Sequence, residues 1–138
     1  TFEARAAELD DVTRRRARHV ITENDRTVRA ARAMQAGDAE QLGRLMDASH
    51  ESLRHDFEVC NDGLNEMVRC AREEDACWGA RMTGAGFGGC AVALVRADTA
   101  EDFADAVSRK YRSATQLEPR VYVTRATEGA AVIFSAKN

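Results

Sequence analysis

The residues best suited to chemistry sit in one short segment, Met82-Thr83-Gly84-Ala85-Gly86-Phe87-Gly88-Gly89-Cys90, where four of six consecutive residues are glycine. Gly84, Gly86 and Gly89 have the Gly-x-Gly-x-x-Gly spacing of a dinucleotide-binding turn, which requires a strand before it and a helix after it. The next residues, Cys90-Ala91-Val92-Ala93-Leu94-Val95, form an apolar run that reads as a strand. No Lys-Ser or Lys-Thr closes the glycines as in a Walker loop. A hairpin turn needs one or two glycines at left-handed positions, and each glycine carries an entropic cost when ordered. Four exceed that need. Backbone N–H groups freed of side chains can form an anion-binding nest. Thr83, Gly84, Ala85, Gly86, Phe87, Gly88 and Gly89 are therefore the candidate site. The physics leans toward ligand or phosphate contact and leaves an ordinary turn open.

Other reactive side chains form no such grouping. His50 and His55 lie on one predicted helix, about 140° apart at 100° per residue, so they share no metal-binding face. His19 and Glu23 read as an i,i+4 pair on a helix surface, and Asp56 and Glu58 flank Phe57 in a loop after a helix. No serine has a histidine and an acid placed for a nucleophilic triad. Cys60, Cys70, Cys77 and Cys90 contain no Cys-x-x-Cys pair and read as reduced structural thiols, which points to the cytoplasm. Trp78 reads as a core or domain-interface aromatic. No catalytic, cofactor-binding or metal-ligating residue is assigned.

The elements around the loop can be read from periodicity. Asp11 to about Ala36 is a predicted helix with Val20, Asn24, Val28, Ala31 and Met34 as its inner stripe, and Arg14, Arg15, Arg16 and Arg18 as a solvated face. Gly37 ends it, and Asp38 with Gln41 forms a capping box for a second, antiparallel helix with Leu42, Leu45, Met46, Ser49 and Leu53 inward. A third helix spans Leu64 to Glu74, with Leu64, Met67, Val68 and Ala71 inward. Strands come next at Cys77–Met82 and Cys90–Val95, too close for a parallel crossover and so paired as a hairpin. Thr99 with Asp102 caps a last helix, buried through Phe103, Ala106, Val107, Lys110 and Tyr111. Further strands are expected at Arg120–Thr124 and Ala131–Phe134. Helices first and then strands argue an α+β fold, an antiparallel sheet covered by helices with an N-terminal helical hairpin.

At 138 residues, 44% hydrophobic and 31% charged, the chain has the composition of one ordinary globular domain. Its net charge of -3 offers no footprint for nucleic acid, and no apolar run is long enough to cross a bilayer as a helix. Neither partner is expected. A first residue of Thr1 reads as a start inside a longer protein.

The segment from Gly79-Ala80-Arg81 through Cys90 closely resembles the third conserved motif of galactokinases, in the superfamily they share with homoserine, mevalonate and phosphomevalonate kinases. Phe87 and Arg81-Met82 favour the galactokinase branch: mevalonate kinases usually carry glycine where Phe87 stands, and homoserine kinases a shorter version with serine and proline. Two further segments resemble the same family, Arg16 to Asn24 and Leu45 to Leu53 continuing through Asp56-Phe57-Glu58-Val59. One stretch departs. After Val59 the family usually reads serine, a variable residue, proline, glutamate, leucine, aspartate, against Cys60-Asn61-Asp62-Gly63-Leu64-Asn65 here. The departure bears on the local turn and on substrate preference.

The resemblance implies a two-domain kinase that moves the γ-phosphoryl group of MgATP to the 1-hydroxyl of α-D-galactose. Residues 1–138 would be its C-terminal domain, a ferredoxin-like variant. The catalytic aspartate, its arginine, the sugar-binding residues and the main phosphate loop would lie in the N-terminal domain, the expected partner. Residues 83–89 would support the phosphate and sugar loops at the cleft. ATP and Mg would belong to the intact enzyme, with neither bound tightly by this piece. Alone, the chain is expected to be inactive and to offer an apolar flank for self-association. The competing readings are a non-catalytic ligand-binding or regulatory module, or a related sugar kinase of different specificity.

Overall fold

The computed structural model describes residues 1–129 and 132. A short helix α1 (Phe2–Arg5) and a 3-10 turn (Ala6–Glu8) precede the long helix α2 (Asp11–Ala36). Asp10 starts α2 by accepting the Thr13 N–H at 3.0 Å. Gly37, at φ 68°, stops it: the Gly37 and Asp38 N–H groups return to the Met34 and Ala33 carbonyls, a Schellman ending. Asp38 then accepts the Gln41 N–H at 2.8 Å and begins α3 (Ala39–Ser52). Only half of the expected capping box forms, because the Gln41 side chain bonds Arg44. The helical hairpin is as expected.

After α3 the chain widens into a π-helical turn (Leu53–Phe57) and reverses at Glu58, φ 59°. Asn61 caps α4 (Asp62–Arg72), which starts two residues before the expected Leu64. Strands β1 (Cys77–Thr83) and β2 (Cys90–Val95) pair antiparallel, with Ala80 opposite Ala93 and Thr83 opposite Cys90, and a bulge between Cys77 and Gly79. Among the described residues the sheet has these two strands. A 3-10 turn (Ala97–Thr99) leads into α5 (Ala100–Thr115). Thr99 stands at its N-cap without making a cap hydrogen bond; its hydroxyl turns back to the Arg96 carbonyl at 3.5 Å.

The expected strand at 120–124 is absent: those residues are exposed or nearly so and pair with neither strand. Alternating Val121, Tyr122 and Val123 suit a strand, but β propensity expresses itself only where a sheet edge and a buried face receive it. The expected strand at 131–134 lies, Val132 apart, outside the described residues.

The main core joins α4, β1 and α5 through Val68, Cys70, Ala71, Ala80, Phe103, Val107 and Tyr111. A second cluster of Leu53, Val59, Leu64 and Met82 lies beside the end of β1 that leads into the glycine loop. Helix α3 lies directly on the β1 backbone. A Cβ on Gly43 would stand 2.0 Å from the Trp78 carbonyl oxygen, and one on Gly79 would stand 2.1 Å from that of Gly43.

The face that α2 buries differs from the expected one. Val20, Val28 and Met34 are half exposed or more, and Asn24 and Ala31 are exposed as well. His19 and Ala33 are buried instead, and Arg15, Arg16, Glu23 and Arg26 share their side of the helix. Hydrogen bonds tie this face of the helix to α3 and the π-helical turn.

Candidate functional site: the glycine loop and its supports

Residues 84–89 connect β1 to β2 as the hairpin reading required; Thr83, expected in the loop, instead ends β1 because it pairs with Cys90, and no helix comes directly after Gly89. The backbone accounts for the glycines. Gly84, Gly86, Gly88 and Gly89 have φ of 89°, 85°, 141° and 99°, and Phe87 joins them at 60°. L side chains rarely adopt this region. All four glycines are thus used by the path of the connection, and their number alone no longer argues for a ligand. Gly86 has a steric reason too: a Cβ there would meet the Val59 carbonyl oxygen at 2.4 Å. Gly86→Val would therefore disturb folding.

What the path leaves open is polar. The Phe87 N–H donates to the Val59 carbonyl at 2.6 Å, whereas the N–H groups of Gly84, Ala85, Gly86, Gly88 and Gly89 meet no acceptor among the described residues. Phe87 is 76% exposed. Such a surface of free donors suits an anionic neighbour.

Three supports fix the loop from below. His50, almost fully buried on α3, accepts the Met82 N–H on Nδ1 at 3.3 Å. This requires the neutral Nε2–H tautomer. Burial, then the Arg72 charge, hold its pKa below the usual histidine value. Glu23 on α2 accepts from Ser49 Oγ at 2.5 Å, Arg26 Nε at 2.7 Å and Arg81 Nη1 at 3.1 Å, joining α2, α3 and β1. Burial pushes the Glu23 carboxyl up, but its hydrogen bonds from Ser49 and Arg26 and the charges of Arg26 and Arg81 hold it below its ordinary value. Asn61 accepts the Leu64 N–H at 2.9 Å and donates from Nδ2 to the Phe87 carbonyl at 3.2 Å.

Arg72 ties α4 to the rest. Its guanidinium reaches Asp47 Oδ1 and Glu51 Oε1, both at 2.7 Å, and the Ala80 carbonyl at 3.2 Å, while the Ala80 N–H donates to Asp47 at 2.9 Å.

The remaining candidates are structural. His19 and Glu23 turn inward, away from the expected helix surface: His19 is buried, stacks on Phe57 with ring centroids 4.6 Å apart, and meets Ser52 Oγ at 3.0 Å. Since Ser52 donates its one hydroxyl proton to Asp56 at 3.1 Å, His19 donates from Nδ1. Asp56 and Glu58 do not converge on a substrate site. Arg18 holds Asp56 at 3.0 Å, and Arg15 and Arg16 hold Glu58 at 3.1 and 2.6 Å, so most of the basic run bridges α2 to this turn and is not merely solvated. His55 is exposed beside Glu51, and no group of three metal-ligating side chains occurs among the described residues. The four cysteines are free, with Cys70 buried and Cys90 exposed. Trp78, at the bulge, is 40% exposed.

Sequence reasoning placed the loop and missed the roles of Asn61, Glu23 and Arg72 and the Gly43–Gly79 contact. An asparagine just ahead of a helix is a cap signal, so the first of these was detectable. The others depend on partners 25 or more residues away in most cases, as with Arg72 and Asp47 or Glu23 and Arg81.

Residues 30–113 match the family model described as GHMP kinases C terminal. A galactokinase of Streptococcus thermophilus is 46% identical over 96% of this chain and 34% of its own length. One from Enterococcus faecalis is 42% identical over 97% of the chain and 35% of its own. The chain therefore spans about a third of the length of these curated relatives. Among solved structures, Lactococcus lactis galactokinase complexed with galactose superposes with a TM-score of 0.76 at 42% identity, over 79% of this chain and 28% of that one. L. major mevalonate kinase in complex with R-mevalonate gives 0.58 at 32% identity, over 72% and 28%.

Proposed function

The chain belongs to the GHMP kinase C-terminal family, and from that premise we propose that it is the C-terminal domain of a cytoplasmic galactokinase. The intact enzyme would transfer the γ-phosphoryl group of MgATP to the 1-hydroxyl of α-D-galactose. The observation that carries this reading is the motif Gly79–Cys90, with Phe87 among its glycines, in a chain that matches galactokinases over nearly its whole length. The greater similarity to a galactokinase than to a mevalonate kinase among the two solved structures supports the same branch.

Phosphoryl transfer depends on positioning and on stabilising charge on the transferring group. MgATP, when bound, supplies that group and the metal that bridges its phosphates. The open N–H groups of residues 84–86, 88 and 89 fit an anionic neighbour and would support the phosphate-binding side of the cleft. The acid that orients the hydroxyl, the sugar contacts and the metal ligands would come from the N-terminal domain, which is the partner of this one.

The test is a direct assay. The full-length gene product with MgATP and galactose should form galactose 1-phosphate, and residues 1–138 alone should form none until the separately expressed N-terminal domain is added. Phosphorylation of another sugar with galactose inert would move the assignment to a related kinase; transfer to no sugar at all would overturn it.

A further inference from the structure

We propose that Asn61 is a positioning residue: a single side-chain amide that locks the glycine loop to the start of α4 and so holds the loop in place for catalysis. The catalytic half of this statement rests on the kinase reading above.

Both main-chain polar groups of Phe87 are taken by residues 59–61. Its N–H donates to the Val59 carbonyl at 2.6 Å, and its carbonyl accepts from Asn61 Nδ2 at 3.2 Å. The flanking glycines fit the same surface. Gly86 has no room for a Cβ against Val59, and a Cβ on Gly88 would lie 3.7 Å from Asn61 Nδ2. Beyond Phe87 the loop has no backbone hydrogen bond of its own among the described residues, so its crest depends on this contact.

Asn61 suits the task because an amide is acceptor and donor in one plane. Oδ1 accepts the Leu64 N–H at 2.9 Å, as an N-cap must, which leaves Nδ2 to face the Phe87 carbonyl. Aspartate caps a helix as well as asparagine but cannot donate when ionised. Asn61→Asp therefore keeps the cap and removes the lock, placing a carboxylate oxygen against a carbonyl. Asn61→Ala removes both.

The full-length gene product is the material for the test, with residue-resolved hydrogen exchange and steady-state kinetics on wild type, Asn61→Asp and Asn61→Ala. Asn61→Asp should speed Phe87 amide exchange about five-fold, the loss of one net hydrogen bond, and leave the Leu64 amide unchanged. It should also lower kcat about ten-fold with the sugar KM within about two-fold, as for a misplaced catalytic support. Asn61→Ala should speed exchange at both amides. Wild-type protection of Phe87 in Asn61→Asp overturns the lock, and a loosened Phe87 with unchanged kcat overturns the positioning role. A wild-type protein that phosphorylates no sugar refutes the kinase reading instead, while the two amides still judge the lock.

Discussion

The two halves of this domain are held together by different physics. Where α4 and α5 meet the sheet, Val68, Ala71, Phe103, Val107 and Tyr111 bury apolar surface at helical spacing. Where α2 meets α3 and the π-helical turn, the contacts are His19 with Ser52, Glu23 with Ser49 and Arg26, and Arg15, Arg16 and Arg18 with Asp56 and Glu58. In the first half the hydrophobic stripe pointed inward. In the second, the stripe expected of α3 was buried at Leu45, Ser49 and Leu53, but the stripe of α2 pointed to solvent. An apolar stripe is a reliable guide to the buried face only while no better-satisfied polar face competes for it, because a polar side chain such as His19 or Glu23 can be buried only where its hydrogen bonds are made.

The contrast can be tested by substitution. The largest effect is expected from Phe103→Ala, which should cost about 3–5 kcal/mol in urea denaturation by removing an aromatic anchor of the apolar half. A cost near that of a surface change would mean that this core is not what holds α5.

Glu23→Gln comes next. It keeps the shape but leaves Arg26 and Arg81 without their carboxylate, and should cost about 2 kcal/mol at pH 7. A neutral result would reduce the polar half to surface ion pairs.

The polar half should also respond to pH. His19 and His50 are held below the ordinary histidine value, in each case mainly by burial. Between that depressed value and about 6.5 the unfolded chain binds more protons than the native one, so stability falls as pH drops through this window and is fully present above it. The thermal midpoint should be level from about pH 8 to 7 and decline below about 6.5. His50→Asn, which keeps an acceptor near the position of Nδ1, should flatten the decline. An identical slope in this variant would place the proton uptake elsewhere.

The smallest effect is expected on the exposed stripe of α2. Val20→Ser with Val28→Ser alters residues that periodicity put inside, yet should change stability of residues 1–138 by only about 0.5 kcal/mol. A loss comparable to Phe103→Ala would show that a partner surface, such as a second copy of the chain, covers this face in solution.

For the site, the position and glycine content of the loop were legible, and so was the hairpin it closes. The cause of the glycines was not. Four positive-φ glycines and a close approach to Val59 are consequences of where β1, β2 and residues 59–61 meet. The short stretch 60–65, which departs from the family pattern, proved to hold the loop through Asn61, a role that needed the position of Phe87 to be seen.

The local elements were settled by the order of residues alone. Cap residues, glycine stops and period changes act within a few residues, so the start and end of α2, the start of α3 and the two strands could be placed directly. The galactokinase-like motif was equally local. It took the folded chain to settle which face of α2 is buried, that Gly43 and Gly79 let a helix rest on a strand backbone, and that 120–124 remains unpaired despite its strand-like alternation. Those outcomes depend on partners distant in sequence, because a polar side chain can be buried, or a strand completed, only where the rest of the fold supplies the matching donor, acceptor or edge.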